Sequence, residues 1–139
     1  MSDRLIETSE GWSIALSDGR VGCIHIDFRL GLEISDTAGT VRLVVETPCK
    51  LRNAEGESTV VPDDAATLAP TLTLFNVGTE EIAIHRNGEL SIEFSNGLRL
   101  NVSPSDQYEA WQIACENEFL VVCQPGGVVS IFQETAPES

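Results

Sequence analysis

His25 stands two residues before Asp27 and four before Arg29. In an extended segment this spacing sends all three side chains to one side, because successive side chains alternate between faces. An imidazole beside a carboxylate and a cation is a usable start for acid–base catalysis, or for the polar stripe of a small-ligand pocket. The spacing places no third metal ligand and no further convergent group beside the pair. The plainer reading of His25, Asp27 and Arg29 is therefore a solvated strand face. The second histidine, His85, also falls on the polar face of a strand pattern.

Other chemistry is sparse. Cys23, Cys49, Cys115 and Cys123 match no zinc-ribbon or C-x-x-C spacing. Three of them lie in apolar runs, where a free thiol behaves as a small hydrophobe. There is no nucleophile elbow, P-loop, dinucleotide fingerprint or zinc-protease helix. Gly126-Gly127 follows Pro125 and reads as a turn. We expect no catalytic residue, no bound metal, no cofactor and no enzyme activity. Interaction candidates remain. Tyr108 and Glu109 precede Trp111, with Trp111 expected inside and Tyr108 outside as an interface anchor. Glu80, Glu81, Glu89 and Glu93 gather around two Asn-Gly turns, and Asp63 and Asp64 flank a helical stretch.

Charge narrows the partners. Against 8 Lys+Arg stand 22 Asp+Glu, a formal net charge of −14. Phosphate binding needs clustered cations, so this balance argues against a nucleic-acid role and against docking on an anionic membrane. It favours solubility and would steer a basic partner inward. Residues 1–8 show neither a basic start nor an apolar run, so no export signal is expected and the expected location is cytoplasmic with reduced cysteines.

The elements that must carry these residues are strands. The length suits one domain, expected over 11–133 after an N-terminal lead at 1–10 and before a frayed tail at 134–139. Period-2 alternation dominates, cut by turn dipeptides. Ile24, Ile26, Phe28, Leu30, Leu32 and Ile34 alternate with polar residues, which predicts one long strand with a bend or bulge at Gly31. Residues 51–56 read as a loop. Pro62-Asp63-Asp64 and the spacing of Ala65, Leu68, Leu72 and Phe75 predict a short helical insertion around 63–75, interrupted at Pro70. Asn87-Gly88 and Asn96-Gly97 predict type I′ hairpins joining three antiparallel strands. Strands are expected over 108–115, 119–123 and 128–132. The fold class is all-β, mostly an antiparallel meander of nine or ten strands, forming a sandwich or a rolled, partly open barrel.

The second half also carries a family likeness. Gly88-Glu89-Leu90, Phe94-Ser95-Asn96-Gly97-Leu98-Arg99-Leu100, Val102-Ser103-Pro104, Tyr108-Glu109-Ala110-Trp111, Leu120-Val121-Val122-Cys123 and Pro125-Gly126-Gly127 together resemble a bacterial, largely actinobacterial family of small acidic proteins with a domain of unknown function. The resemblance covers about 11–133. Its YEAW and PGG segments are its most specific part, and Phe132 stands where a tryptophan is expected. Orphan domains of this sort often lie beside genes for secreted or contact-dependent toxins, so the resemblance implies an immunity role by association.

Three functions are therefore expected, in order. The first is a cytosolic protein-binding module, an immunity-type inhibitor that occludes a basic toxin encoded nearby. The second is a structural β domain that self-associates into a homo-oligomer. The third is a small-ligand binder using the stripe of His25, Asp27 and Arg29.

Overall fold

The computed structural model describes residues 4–133. The tail expected to fray lies outside that range. Two antiparallel sheets bury their apolar faces in one core, and they do not close into a barrel. Sheet A contains β1 (Leu5–Glu7), β2 (Gly11–Ile14), β6 (Cys49–Asn53), β7 (Gly56–Val60), β8 (Thr79–His85), β9 (Leu90–Phe94) and β10 (Arg99–Val102), in the order β1-β2-β8-β9-β10-β6-β7. Sheet B contains β3 (Arg20–Ile26), β4 (Leu30–Asp36), β5 (Gly39–Val45), β11 (Trp111–Cys115), β12 (Phe119–Cys123) and β13 (Val129–Gln133), in the order β13-β12-β11-β5-β4-β3. The inward set is aliphatic, with Leu30, Leu32, Ile34, Leu90, Ile92 and Ile113 fully buried. Burying each such side chain contributes about 1.5–3 kcal/mol.

The expected helical insertion is present as α1 (Ala65–Leu68), continued by a 3-10 turn over Ala69–Leu74. Asp64 caps α1 by accepting the Ala66 N–H at 3.1 Å. The chain then runs beside β3, with Asn76 N–H donating to Val21 O at 2.7 Å and Thr79 N–H to Gly19 O at 2.8 Å. This segment covers the flank where β7 and β3 end their sheets, a common way to protect sheet edges.

Several segments differ from the sequence expectation. Residues 24–34 are a tight hairpin, β3–β4, with Ile26 opposite Leu30. The apolar alternation continues through the turn, so no glycine, proline or asparagine announces it. Phe28 at the tip has φ +67°, and the bulge lies between Val21 and Cys23 rather than at Gly31. Residues 51–56 belong to the β6–β7 hairpin, where Asn53 Oδ1 accepts the Glu55 and Gly56 N–H groups. Leu5–Glu7, within the expected lead, pairs with β2. Residues 108–110 are loop, and the strand begins at Trp111.

The Asn-Gly hairpins join β8, β9 and β10 as expected, but with another turn. Among these four residues only Gly88 and Gly97 have positive φ, +97° and +89°. His85 N–H donates to Glu89 O and Phe94 N–H to Leu98 O, which closes three-residue loops ending in a left-handed glycine. The asparagines contribute side chains instead of strained backbone: Asn87 Oδ1 accepts the Glu89 N–H and Asn96 Oδ1 the Leu98 N–H.

Two contacts join the sheets at opposite ends. At one end Trp111, fully buried, donates its indole N–H to Gly88 O at 2.9 Å, linking β11 of sheet B to the β8–β9 turn of sheet A. A Cβ on Gly88 would lie 2.8 Å from Gly127 Cα, and one on Gly127 would collide with Asn87 O. At the other end Arg4 forms a close ion pair with buried Asp36, and its Nη1 lies 3.3 Å from Cys115 Sγ and 3.7 Å from Glu118 Oε2.

Three measurements check this account. Gly97→Ala meets nothing within 4 Å at φ +89°, so it should cost about 1 kcal/mol of urea stability from backbone strain alone. Gly127→Ala has the same φ but adds a collision, and should cost about 3 kcal/mol or more. Trp111→Phe removes volume and leaves the buried Gly88 carbonyl with only the weak Cys123 thiol donor, for a loss of about 2–4 kcal/mol. Burial also pushes the Cys49 thiol up to about 12 and, with the Glu118 carboxylate beside it, the Cys115 thiol up to about 11 from an ordinary 9.0. Their folded values exceed the unfolded ones, so the stability they contribute is complete below about pH 9 and is lost as pH rises toward 11–12. Urea midpoints measured from pH 7 to 11 should fall at the alkaline end, and less so in Cys49→Ala than in the parent chain.

Candidate functional site

The chain crosses between sheets twice at the Trp111 end. Residues 46–48 lead from β5 to β6, and residues 103–110 lead from β10 to β11. Glu46 N–H donates to Ala110 O at 2.9 Å, so the two crossings are tied together. Gly126 N–H donates to Ser105 O at 2.8 Å, which fixes the second crossing to the β12–β13 turn. Ser105 Oγ accepts the Gln107 and Tyr108 N–H groups, setting the local turn that turns Tyr108 outward.

Between these crossings, the β3–β4 tip and the start of the helical insertion lies an open cleft of about 620 Å³. Phe28 and Tyr108 line it together with Pro48, Pro62 and Pro104, and Glu46 and Asp63 supply its acids. Phe28 is 82% exposed and Tyr108 64%, the two most exposed large hydrophobic side chains among the described residues. A phenylalanine at φ +67° holds backbone strain of about 1–2 kcal/mol. Neither the strain nor the exposure serves the core. Thr47 also lines the cleft; it is buried, and its hydroxyl has no hydrogen-bond partner among the described residues.

The other sequence candidates scatter. Asp63 joins Tyr108 at the cleft, whereas exposed Glu109 is not part of its lining. Asp64 is the helix cap. Glu93 forms a close ion pair with Arg99, and Glu81 sits opposite Glu93 across β8–β9. Glu80 and Glu93 line a separate hollow of about 520 Å³ with Arg52 and Arg99. Glu89 lies at the far end of β9, where its carboxylate accepts the Ser103 hydroxyl at 3.2 Å. The acids therefore form no single patch.

His25, Asp27 and Arg29 do line one hollow, of about 100 Å³, and their closest partners divide. Arg29 pairs with Asp27 across the turn at 2.9 Å, and its hydrogen bond holds Asp27 below the ordinary carboxylate range. His25 instead turns its Nε2 to Cys23 Sγ, at 3.3 Å, and to the Glu33 carboxylate, in close contact. Cys23, two residues before His25, was readable from the same alternation that groups Asp27 with it. Glu33 was not legible as a partner of His25, because only the β3–β4 register, with Cys23 opposite Glu33, brings it across. Phe28 was missed for the same reason: an unbroken strand would have placed it in the core.

A family model described as a family of unknown function (DUF6188) matches residues 12–133. The chain belongs to that family. No curated protein and no solved structure matches it. Within this chain, the YEAW and PGG segments on which the likeness was read meet at one place: Trp111 on Gly88, Gly127 on Asn87, and Gly126 on Ser105. They are scaffold for the cleft, with Tyr108 alone reaching its surface. No helix among the described residues is long and apolar enough to cross a membrane.

Phe28→Gly tests whether the tip holds strain that the fold does not use. It should raise urea stability by about 0.5–1 kcal/mol, because glycine adopts positive φ without steric cost. An unchanged or lowered midpoint would show that Phe28 contributes to the fold.

Proposed function

We propose that this chain is a protein-binding module that receives a basic protein partner at the cleft between Phe28 and Tyr108. The observation that carries this reading is Phe28 itself, an 82% exposed aromatic on a strained backbone at a hairpin tip. Exposed aromatics on a rigid frame are the usual energetic centres of protein interfaces. Three prolines in the lining keep the cleft preformed, which lowers the entropy lost on binding. Glu46 and Asp63 at the cleft, within a chain of net charge −14, favour a cationic partner and speed its encounter. An immunity role follows as the specific form: a cytoplasmic inhibitor, of bacterial origin, that covers the active site of a basic toxin encoded beside it.

Two other readings have weaker support. The β13 edge of sheet B, with Val128 and Phe132 exposed, favours self-association, and light scattering that finds a monomer at high concentration removes it. The hollow at His25 is about 100 Å³, well below the ~300 Å³ of ordinary small-molecule sites.

Co-expression with the neighbouring gene product tests the main reading. The pair should co-purify, and the chain should restore growth to cells expressing the partner. Phe28→Ala with Tyr108→Ala should weaken binding by about 100-fold, on the scale of two interface anchors, without lowering the melting temperature. Failure of the pair to co-purify or to rescue growth, or full affinity in the double variant, contradicts the proposal.

A further inference from the structure

The β3–β4 hairpin places three different donor types at one point of its outward face. Cys23 stands opposite Glu33, and His25 stands opposite Gly31. A Cβ on Gly31 would lie 3.1 Å from the His25 Cβ and 3.7 Å from its ring. The missing side chain gives the imidazole room to lie across β4 toward Glu33. Cys23 Sγ, His25 Nε2 and a Glu33 oxygen all fall within 4.8 Å of one another.

A hydrogen bond or ion pair between His25 and Glu33 accounts for two of the three groups and leaves the Cys23 thiol only a weak contact. Nε2 lies 3.3 Å from the thiol and in close contact with the carboxylate. It carries at most one proton, so it cannot accept from the thiol while donating to Glu33. A cation at the centre uses one lone pair from each atom.

We propose that Cys23, His25 and Glu33 bind a thiophilic divalent transition-metal ion, with zinc the best match. Thiolate, imidazole and carboxylate are the three zinc donors of proteins, and a thiolate with an imidazole selects against magnesium and calcium. The thiolate and carboxylate together balance two positive charges. Arg42 Nε lies 3.8 Å from Glu33 Oε1, the oxygen turned away from His25, and so orients the carboxylate from outside. The His25 side chain is 56% exposed, so the ion has open access and a fourth coordination position faces solvent. The site is separate from the Phe28–Tyr108 cleft and does not depend on the reading given to it.

Cobalt(II) titration of the reduced, chelator-treated full chain is the test, because cobalt reports thiolate ligation in its absorption spectrum. One equivalent per chain should produce a thiolate-to-cobalt charge-transfer band that zinc then displaces. Cys23→Ser should abolish the band. His25→Ala and Glu33→Gln should each weaken binding at least about tenfold, the scale at which even outer partners of metal ligands act. Cys49→Ser, with the same number of remaining thiols as Cys23→Ser, should retain the band. Circular dichroism confirms that each variant is folded, and Cys23→Ala replaces any Cys23→Ser chain that is not. Absence of the band in the parent chain, its persistence without Cys23, or its loss in folded Cys49→Ser would overturn the proposal.

Discussion

The hydrogen bond from the Trp111 indole to Gly88 O organises one end of this sandwich. It joins the sheets where the chain has most need of a fixed geometry, because both crossings meet there. The bond is available only because Gly88 and Gly127 lack side chains at their contact. Through Gly126 and Ser105 the same contact holds residues 103–110, and through Ala110 and Glu46 it holds residues 46–48. Tyr108, Pro48 and Pro104 therefore inherit their positions in the cleft from one buried indole. Arg4, Asp36, Cys115 and Glu118 secure the opposite end with charge rather than packing. A buried ion pair of that kind has to offset its own desolvation, so its clearest contribution is to registration of β1 against sheet B.

This arrangement separates the buried joint from the surface proposed to function. Trp111 and Gly127 are buried and Gly126 is exposed at the β12–β13 turn, while Phe28 and Tyr108 line the cleft. A fold held this way tolerates change in its exposed tips, and recognition commonly resides in loops on a rigid scaffold. The strain at Phe28 fits that division, since positive φ at a bulky residue persists only where surrounding structure fixes it.

Much of the fold was legible in the sequence. The two Asn-Gly dipeptides marked β8, β9 and β10 because glycine at positive φ closes a hairpin cheaply. The acidic residues after Pro62 marked the helical insertion, and Asp64 became its cap. The site was less legible. Residues 24–34 alternate without a break, and period alone cannot show a turn made by Asp27, Phe28 and Arg29. That single misreading hid both the exposed Phe28 and the place of Glu33 beside Cys23 and His25, because cross-strand neighbours exist only once the hairpin folds. The strand acids were counted correctly, but their partners were not legible: Glu93 pairs with Arg99 and Glu89 accepts from Ser103.

The claim that most needs testing is that the Trp111 end is the binding face. Amide hydrogen exchange of the chain, alone and in complex with the basic partner proposed for it, tests it directly. The account predicts added protection at residues 27–29, 47–49, 61–64 and 105–109, with little change along β13 and β1. Protection concentrated on β13 or β1, with these four segments unchanged, would contradict it.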